Sequence, residues 1–511
     1  MAQTEPVYIS RLVARLGDLG SQTVLRYRNE SVAATDLLTS IYQYARALAT
    51  LGIGRGSLVA LCAPNSPNAI AIRYAANLLG SAAVYLSKPA TSALRAQHVA
   101  QMAPDLLVFF PQTVEFVSSD MSVRTVSVGL NVAGAAVRLD SIAAGQSGAA
   151  LKSAAIPADL AIVVSSGGTT GLPKGSCRNF SAYSVMVDVP SPPDRRQLVN
   201  GPLAYLSQVL VDVTLLGGGC VVLRDSYDAV DTLATIESER ITDLFLVEPQ
   251  LFELMDHPDL PRTNLHSLRT LTHVGASAPP TLRGRAQRRL GRVIAHTYGA
   301  SEAGLVTMLT APECLTSDRL TCAGRVLPGV EVRLRRENGS LAEVGETGSI
   351  EVRSPAMAQG YRNRPELEAE NFRDGWYRAH DLGRIDAAGY LHVLGRAADI
   401  RRIGGALLTP IMIEDTLSQM TAVRVAVIVA DNEADIWIGV IVPWEGVTID
   451  PQHCLAAITE KHGLEAAARF VVITRKNIPL TEQGKPDREA IKQLGRDQQS
   501  ELTPGAGRPQ C

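Results

Sequence analysis

Hydrophobic and polar positions in the first 150 residues alternate between two spacings. The segment 34–53 (ATDLLTSIYQYARALATLGI) repeats its apolar residues at helical spacing and ends near a glycine, whereas 57–63 (SLVALCA) is a short continuous apolar run. The first pattern predicts an amphipathic helix and the second a buried strand. Helices that alternate with buried strands are typical of an α/β fold.

The same alternation continues through the middle of the chain. Short apolar runs occur at 220–225 (CVVLRD), 243–249 (DLFLVEP) and 293–301 (VIAHTYGAS), each beside a helical segment. Strands that are apolar on both faces favour parallel sheets covered by helices.

The pattern changes in the last third of the chain. From about Pro328, the segment 330–354 has strands and glycine turns that predict a small antiparallel β unit built on hairpins. The last hundred residues predict an α+β unit, with a strand pair at 423–443 and a strand at 470–474. We expect a large N-terminal domain of αβ layers plus a small β unit, and a small α+β C-terminal domain. The expected bounds are 1–397, 398–495 and a disordered tail at 496–511.

Composition narrows the classes of function. The 511 residues are 46% apolar and 20% charged, with a formal net charge of −2, so nucleic acid and anionic membranes are not expected partners. Seven cysteines lack the CxxC and CxxH spacings of zinc sites and do not suggest a disulfide framework. Without a signal-like or membrane-spanning apolar run, the chain is expected to be soluble and cytoplasmic.

One segment suggests a local anion site. Residues 163–176 (VVSSGGTTGLPKGS) combine four glycines with hydroxyl side chains and Lys174 behind an apolar run. Glycine lets backbone amides turn toward a phosphate, so the segment fits a phosphate-binding loop. It is not a P-loop, because Pro173 precedes the lysine. The residues alone fit an ordinary surface turn equally well.

Seven motifs in one order extend over nearly the whole chain and resemble the adenylate-forming superfamily, which includes acyl-CoA synthetases, luciferases and nonribosomal peptide adenylation domains. The motifs are the loop 166–175, GASAP at 275–279, TYGASEAG at 297–304, GYRNRPE at 360–366, GWYRAHDLG at 375–383, GR at 395–396 and PLTEQGKPDR at 479–488. The resemblance implies a large N-terminal domain and a mobile C-terminal lid.

The resemblance also implies a nucleotide site. Tyr298 would stack on adenine, Ser301 would donate to phosphate, and Glu302 would bind Mg²⁺, which prefers oxygen ligands. Asp381 would accept from the ribose hydroxyls and Arg396 would support the ribose or phosphate. The remaining residues implied for this site are Lys174, Thr169 and Thr170 on the phosphates, Gly299 in the tyrosine motif, and Gly275, Ala276 and Ser277 along the adenine and acyl pocket. A helix cap at Ser301, surface ion pairs and a tight turn are the structural alternatives.

Three further positions concern the acid and the thiol. The resemblance makes Lys485 the electrostatic catalyst of adenylation, reaching the site only when the C-terminal domain is closed. It places Tyr205 near the substrate carboxylate, and Gly404 and Gly405 where the pantetheine arm of CoA passes. A solvated lysine and a simple hairpin glycine are the alternatives.

Several positions depart from the family pattern. Gly167 replaces a serine in the phosphate loop, and Ala379 and His380 replace Thr-Gly before Asp381. The hinge residue is Ala398, and the next segment carries the unusual residues Leu407 and Met412. Each hydrogen bond lost to a phosphate is worth about 1.5–3 kcal/mol, so adenylation is expected to suffer more than thioester formation.

We therefore expect an acid–thiol ligase that forms acyl-CoA by way of an acyl-adenylate. We expect it to act mainly on preformed acyl-AMP and CoA, with the acyl-AMP supplied by a partner adenylating enzyme. The alternatives are a full two-step acyl-CoA synthetase that uses ATP and Mg²⁺, a domain that loads a carrier protein, and a degenerate acyl-nucleotide binding protein. Low aromatic content, 5%, and many small aliphatic residues hint at an apolar acid, and the Ala/Arg-rich usage hints at secondary metabolism.

Overall fold

The computed structural model describes residues 7–87, 91–117, 121–129, 137–165, 172–275, 279–315 and 319–502. The first part of the chain forms the following elements: α1 (Tyr8–Leu19), β1 (Thr23–Tyr27), β2 (Glu30–Ala33), α2 (Ala34–Thr50), β3 (Leu58–Cys62), α3 (Pro67–Leu78), β4 (Ala82–Tyr85), α4 (Ser92–Met102), β5 (Leu106–Phe109), β6 (Thr125–Ser127), β7 (Val137–Arg138), α5 (Leu139–Ala144) and β8 (Leu160–Ser165).

The middle part continues the alternation of strands and helices. Its elements are β9 (Gly175–Asn179), α6 (Phe180–Val187), β10 (Arg196–Val199), α7 (Gln208–Gly217), β11 (Cys220–Leu223), α8 (Ala229–Ser238), β12 (Asp243–Val247), α9 (Glu248–Asp256), β13 (Thr270–Val274), α10 (Pro280–Leu290), β14 (Ile294–Ala300) and β15 (Gly304–Leu309).

The last third is richer in strands. It contains β16 (Gly324–Val326), β17 (Glu331–Arg335), β18 (Gly348–Arg353), β19 (Gly360–Tyr361), α11 (Pro365–Asn371), β20 (Phe372–Arg373), β21 (Trp376–Ile385), β22 (Tyr390–Arg396), β23 (Arg401–Ile403), β24 (Ala406–Leu408), α12 (Pro410–Ser418), β25 (Val423–Asp431), β26 (Ile436–Pro443), α13 (Pro451–His462), α14 (Leu464–Ala468), β27 (Phe470–Thr474) and α15 (Arg488–Leu502).

Two large sheets form the N-terminal domain, and the predicted α/β fold with a smaller C-terminal domain is confirmed. One sheet has eight strands in the order β19-β9-β8-β4-β3-β5-β6-β7, and the other has fourteen, with β1, β11, β10, β12, β13 and β14 all parallel. One apolar cluster joins strands of both sheets with helices α1, α2, α3, α6 and α7. The helices therefore lie in a layer shared by the sheets.

The antiparallel β unit expected from about Pro328 is not separate from the larger sheet. Strand β16 pairs with β15 on one side and with β22 on the other, so β22, β21, β18 and β17 extend the parallel sheet. This continuity fixes the hairpin β21–β22 relative to β14.

The C-terminal domain is built on the three-stranded sheet β25-β26-β27. Along β25, alternate residues face different apolar clusters: Val425, Val427 and Val429 lie in one, and Ala426 and Ile428 in another. The first cluster also includes residues of α9 and α10 in the N-terminal domain, so the two domains share apolar packing in this orientation.

Charged contacts also join the two domains. Asp256, at the end of α9, bonds both Arg285 at 2.9 Å and Arg424 of the C-terminal domain at 3.2 Å. The predicted domain boundary falls in the short 3-10 turn Ala397–Asp399.

The predicted start of the tail is wrong. Helix α15 runs from Arg488 to Leu502, so residues 496–502 are helical. Arg496 bonds the buried Asp431 at 2.7 Å and ties this turn to β25. No helix in the described ranges combines the length and apolarity needed to cross a membrane.

A buried polar network stabilises the helical layer of the N-terminal domain. Asp212 on α7 accepts from Arg73 and Tyr74 on α3 and, at 2.6 Å, from the Tyr183 hydroxyl on α6. Asp212 and Arg73 are at most 1% exposed. Both oxygens of the carboxylate are bonded, which compensates for its removal from water.

Asp212→Ala should lower the free energy of unfolding by about 3–5 kcal/mol, because it leaves Arg73 buried without its counter-charge. The measurement is urea denaturation followed by circular dichroism. Asp188→Ala is the matched control, since its ion pair with Arg11 at 2.7 Å lies at the surface and is worth less than about 1 kcal/mol. Equal losses in the two variants would contradict the assigned role.

Candidate active site

Three predicted nucleotide residues, one each on β14, β21 and β22, meet in the structure. The Tyr298 hydroxyl donates to Oδ2 of Asp381 at 2.6 Å, and Nε of Arg396 lies 3.3 Å from Oδ1. Asp381 and Arg396 are direct partners across the β21–β22 pair. The structure therefore brings these three side chains together as the sequence suggested.

Burial controls the ionisation of Asp381 and Tyr298. Burial raises the pKa of Asp381, while Arg396 and the Tyr298 hydroxyl oppose that rise. The pKa of Tyr298 is raised well above its usual range by burial and by the neighbouring carboxylate, so its hydroxyl remains a donor. Each Asp381 oxygen has one of these partners and can still accept from a ligand hydroxyl.

An irregularity in β21 aims Asp381 into the site. The pairing of β21 with β18 shifts register between Ser349 and Glu351, and His380 adopts a left-handed φ of +57°. Its Nε2 lies 2.5 Å from Oδ1 of Asn371, which holds the ring in place. Bulges of this kind redirect side chains beside active sites. Ala379, just before it, is 2% exposed and packs in an apolar cluster.

Glu302 and Lys174 both lie next to Tyr361. The Tyr361 hydroxyl donates to Oε1 of Glu302 at 2.7 Å, and Nζ of Lys174 is 5.5 Å from the centroid of the Tyr361 ring. Glu302 is 7% exposed, and burial followed by this carboxylate raises the pKa of Tyr361. Among the described residues, no group of three or more His, Cys, Asp and Glu side chains could hold a metal on its own. A cation at Glu302 would need ligands from a bound phosphate.

Arg178 is a residue that the motifs did not identify. It is fully buried on β9, and its Nη2 and Nε donate to the carbonyls of Ser301 and Ala356, each at 2.7 Å. Burial lowers its pKa to about 10, although nearby Glu302 opposes the change. Arg178 thus positions the backbone of the tyrosine motif.

Two glycines of the motifs are required by backbone geometry. Gly275 follows β13 with a φ of +123°, which disfavours any side chain. Gly299 lies at a bulge in the β14–β15 pair, where a Cβ would lie 2.4 Å from the carbonyl oxygen of Gly304. Ser301, two residues after Gly299, is half-buried, and its carbonyl accepts from Arg178.

The loop 481–485 of the C-terminal domain reaches this site. The Thr481 amide donates to the Lys485 carbonyl at 2.8 Å and the Gly484 amide donates to the Thr481 carbonyl at 2.9 Å, which closes the turn. The Cε of Lys485 is 4.0 Å from where a Cβ on Gly275 would lie. Lys485 is exposed to solvent, although nearby protein atoms partly desolvate its ammonium group. Burial, and then Arg396, lower its pKa. The predicted approach of this lysine to the nucleotide residues is therefore present in the structure.

Tyr205 lies next to the same loop. It belongs to the distorted turn Leu203–Ser207 and has irregular φ and ψ of −128° and −136°. Burial raises its pKa, as does nearby Glu482, whereas Gln483 opposes the rise. Glu482 also lines a small pocket with Tyr85 and Leu203. The loop that carries Lys485 thus also reaches the residue predicted to lie near the acid.

Gly404 and Gly405 are not gathered with the other site residues. They form the exposed turn between β23 and β24, with φ values of +56° and +83°. A Cβ on either would meet no other atom within 4 Å. Their positive φ angles explain why this hairpin turn has glycine at both positions. The predicted site residues Thr169, Thr170, Ala276 and Ser277, and the altered position Gly167, lie outside the described residues.

Known proteins are similar to this chain in sequence. A family model described as AMP-binding enzyme matches residues 17–362. A medium/long-chain fatty acid–CoA ligase of Mycobacterium tuberculosis is 30% identical, with 94% of this chain and 89% of that protein covered. A feruloyl-CoA synthase of Amycolatopsis is 29% identical, with 91% and 94% covered.

Solved structures agree with these relatives. The amide bond synthetase McbA of Marinactinospora thermotolerans has a TM-score of 0.84 at 30% identity, with 95% of this chain and 99% of that chain covered. An anthranilate CoA ligase bound to anthranoyl-AMP has a TM-score of 0.88 at 19% identity, with 97% and 98% covered, and shows the shared fold.

Fold and site together define an adenylate-forming enzyme of the acyl-CoA ligase-like kind. The chain belongs to the AMP-binding enzyme family, which confirms the superfamily that the seven motifs indicated.

Asp381→Asn should abolish the stabilisation of the protein by AMP. Tyr298 and Arg396 hold the Asp381 carboxylate in place, and a neutral amide cannot replace its negative charge as an acceptor for the ribose hydroxyls. The measurement is the shift of the melting temperature with AMP concentration. Asp386→Asn is the matched control, since that carboxylate ends the same strand and bonds His392 instead, at 3.0 Å. A normal shift in the Asp381 variant would remove this residue from the nucleotide site.

Proposed function

We propose that the protein is a two-step, ATP-dependent acyl-CoA ligase. It would join a carboxylic acid to the α-phosphate of ATP, release pyrophosphate, and transfer the acyl group to the thiol of CoA. The observation that carries the proposal is the approach of Lys485 to Gly275, between domains that share an apolar cluster.

The first step requires stabilisation of growing negative charge. A carboxylate oxygen forms a bond to the α-phosphorus while the bond to the bridging oxygen breaks, and pyrophosphate leaves with that electron pair. Lys485 comes from one domain and Arg396 from the other, and the cation of Lys485 would neutralise charge on the pentacoordinate phosphorus. Fixed charges of this kind accelerate phosphoryl transfer without reorganisation.

The remaining residues would orient the nucleotide. Asp381 would accept from the ribose hydroxyls, and Lys174 would lie on the phosphates. Tyr361 occupies Oε1 of Glu302, so the carboxylate would present Oε2 to Mg²⁺. The cation, when bound, supplies charge neutralisation on the phosphate oxygens. Arg178 would keep the Ser301 backbone in place.

In the second step, the thiol loses its proton and its sulfur attacks the acyl carbonyl. The carbonyl–oxygen bond to phosphate then breaks, and AMP leaves with the electron pair. The Gly404–Gly405 turn is exposed here, so we infer that the C-terminal domain rotates about Ala398 to bring this turn to the acyl-adenylate.

The packing of Ala379 supports the two-step reaction over one limited to preformed acyl-AMP. Its methyl group lies in an apolar cluster and is 2% exposed, while its carbonyl accepts from Arg396 at 2.7 Å. The missing hydroxyl at this position therefore does not by itself remove a phosphate contact. The thioester-only reaction remains the alternative that rests on Gly167 and on the altered hinge segment.

An amine acceptor is a second candidate. The similarity to an amide bond synthetase covers 95% of this chain at 30% identity, as high as the identity to the fatty acid–CoA ligase. An amine attacking the acyl-adenylate would use the same first step and the same Lys485. The acid is proposed to be apolar, since the relatives include ligases for fatty and aromatic acids.

Lys485→Ala should lower acid-dependent exchange of pyrophosphate into ATP by a factor of about 10² or more, the usual effect of losing one electrostatic contact to developing charge. The measurement is isotope exchange with a panel of apolar acids, and AMP binding should persist. Lys476→Ala, an exposed lysine of the same domain, is the control. Absence of exchange by the wild-type protein, together with thioester formation from acyl-AMP, would favour the thioester-only alternative.

Gly405→Leu should reduce thioester formation from supplied acyl-AMP and CoA at least about tenfold, because a side chain would block the thiol's path, while pyrophosphate exchange stays near normal. Gly446→Leu is the control for backbone strain: its φ is +77° against +83° at Gly405, and its surroundings are equally open. Thioester formation at the wild-type rate by the Gly405 variant would refute the assignment. Hydroxamate or amide formation with amines, but not thioester, would favour the amine acceptor.

A further inference from the structure

A second cavity lies between the two domains, apart from the residues assigned to catalysis. Its volume is about 340 Å³. The N-terminal domain contributes the start of α10 and parts of β14, β21 and β22, and the C-terminal domain contributes α12 and the end of α13. This size is within the range of small-molecule sites, and both domains must be in this orientation to form it.

Three cations line this cleft: Arg283, Arg384 and Lys461. Arg283 is buried, and its Nη1 donates to the carbonyls of Leu320 at 2.6 Å and Cys322 at 2.8 Å. Arg384 on β21 and Lys461 on α13 line the cleft one from each domain. Within the described ranges, neither side chain takes part in an ion pair or a side-chain hydrogen bond, and both residues are exposed. Asp415 is the acidic residue of the lining, and its two oxygens already accept from the Thr281 amide at 2.8 Å and the Gln419 amide at 3.1 Å.

The histidines of the lining are engaged in other contacts. Nδ1 of His296 lies 2.9 Å from Nδ1 of His273, and burial lowers the pKa of His296, so this pair is neutral. His392 bonds Asp386 at 3.0 Å, and His462 bonds Thr416 at 2.8 Å. The exposed cations of this lining are therefore Arg384 and Lys461.

The rest of the lining offers apolar surface. Val393 and Leu394 of β22 face Ile411 and Met412 of α12 across the cleft. Met412 is 42% exposed. Methionine adapts its shape to a ligand because its side chain is unbranched and polarisable. The cleft thus combines a cationic pair with an apolar wall.

We propose that this cleft binds an amphipathic oxyanion, a carboxylate or phosphate monoester on an apolar chain. The anionic group would bridge Arg384 and Lys461, and the chain would lie along Met412. Since its contacts come from both domains, the ligand would favour the orientation seen here, as any ligand favours the state that binds it better. Binding at this site does not depend on the reaction proposed above.

The test is calorimetric titration of the full-length protein, saturated with AMP, with octyl phosphate, octanoate and octanol. Both oxyanions, or one of them, should bind, and octanol should not. The oxyanion that binds more tightly identifies the chemical source. The double variant Arg384→Gln with Lys461→Gln should bind at least about tenfold more weakly, a loss of about 1.4 kcal/mol.

The matched control is Arg262→Gln with Lys476→Gln, which removes one exposed cation from each domain outside the cleft. It should bind like the wild type. Met412→Glu should also weaken binding, because it adds a carboxylate beside the site. Equal binding of octanol, unchanged affinity in the double variant, or displacement of the probe by CoA would each overturn the proposal.

A second measurement tests the link to domain orientation. Octyl phosphate should slow limited proteolysis near Ala398 in the wild type by the factor expected from its occupancy, and should have no such effect in the double variant. Protection that is equal in both proteins would show that the ligand acts elsewhere.

Discussion

The candidate site depends on the packing of the loop 481–485 against the N-terminal domain. Gly484 allows this close packing, because it has a φ of +77° and a Cβ there would lie 2.6 Å from the side-chain Nε2 of Gln250 on α9. The glycine lets the loop approach closely enough for Lys485 to reach Gly275. The charge that we propose as catalytic is therefore positioned by the close approach of the loop backbone.

The site gathers charge without a large net charge on the chain, which is −2. Asp381 faces Arg396, and Glu302 lies near the buried Arg178. Each carboxylate also accepts from a tyrosine hydroxyl, of Tyr298 and Tyr361 respectively. Such pairing allows ionised groups to remain buried. Lys485 lies close to Arg396, and a bound polyphosphate would relieve the repulsion between these two cations.

Sequence reasoning could predict the alternation of elements, the family and the meeting of Tyr298, Asp381 and Arg396, because ordered motifs encode local backbone geometry. It could not predict the support given by Arg178, whose role depends on carbonyls 123 and 178 residues away along the chain. Nor could it show that the hairpin strands join the larger sheet, since strand pairing over long distances leaves no short motif. The end of α15 was missed because Arg496 is anchored by a residue 65 positions earlier.

Helix α15 has a practical consequence. It covers one face of the sheet β25-β26-β27, through Ile491, and its last turns are tied to β25. A dye attached near the end of this helix would therefore travel with the C-terminal domain as one body. Paired with a second dye on α8 of the N-terminal domain, it would report domain rotation as a change in energy transfer, in single molecules and during turnover.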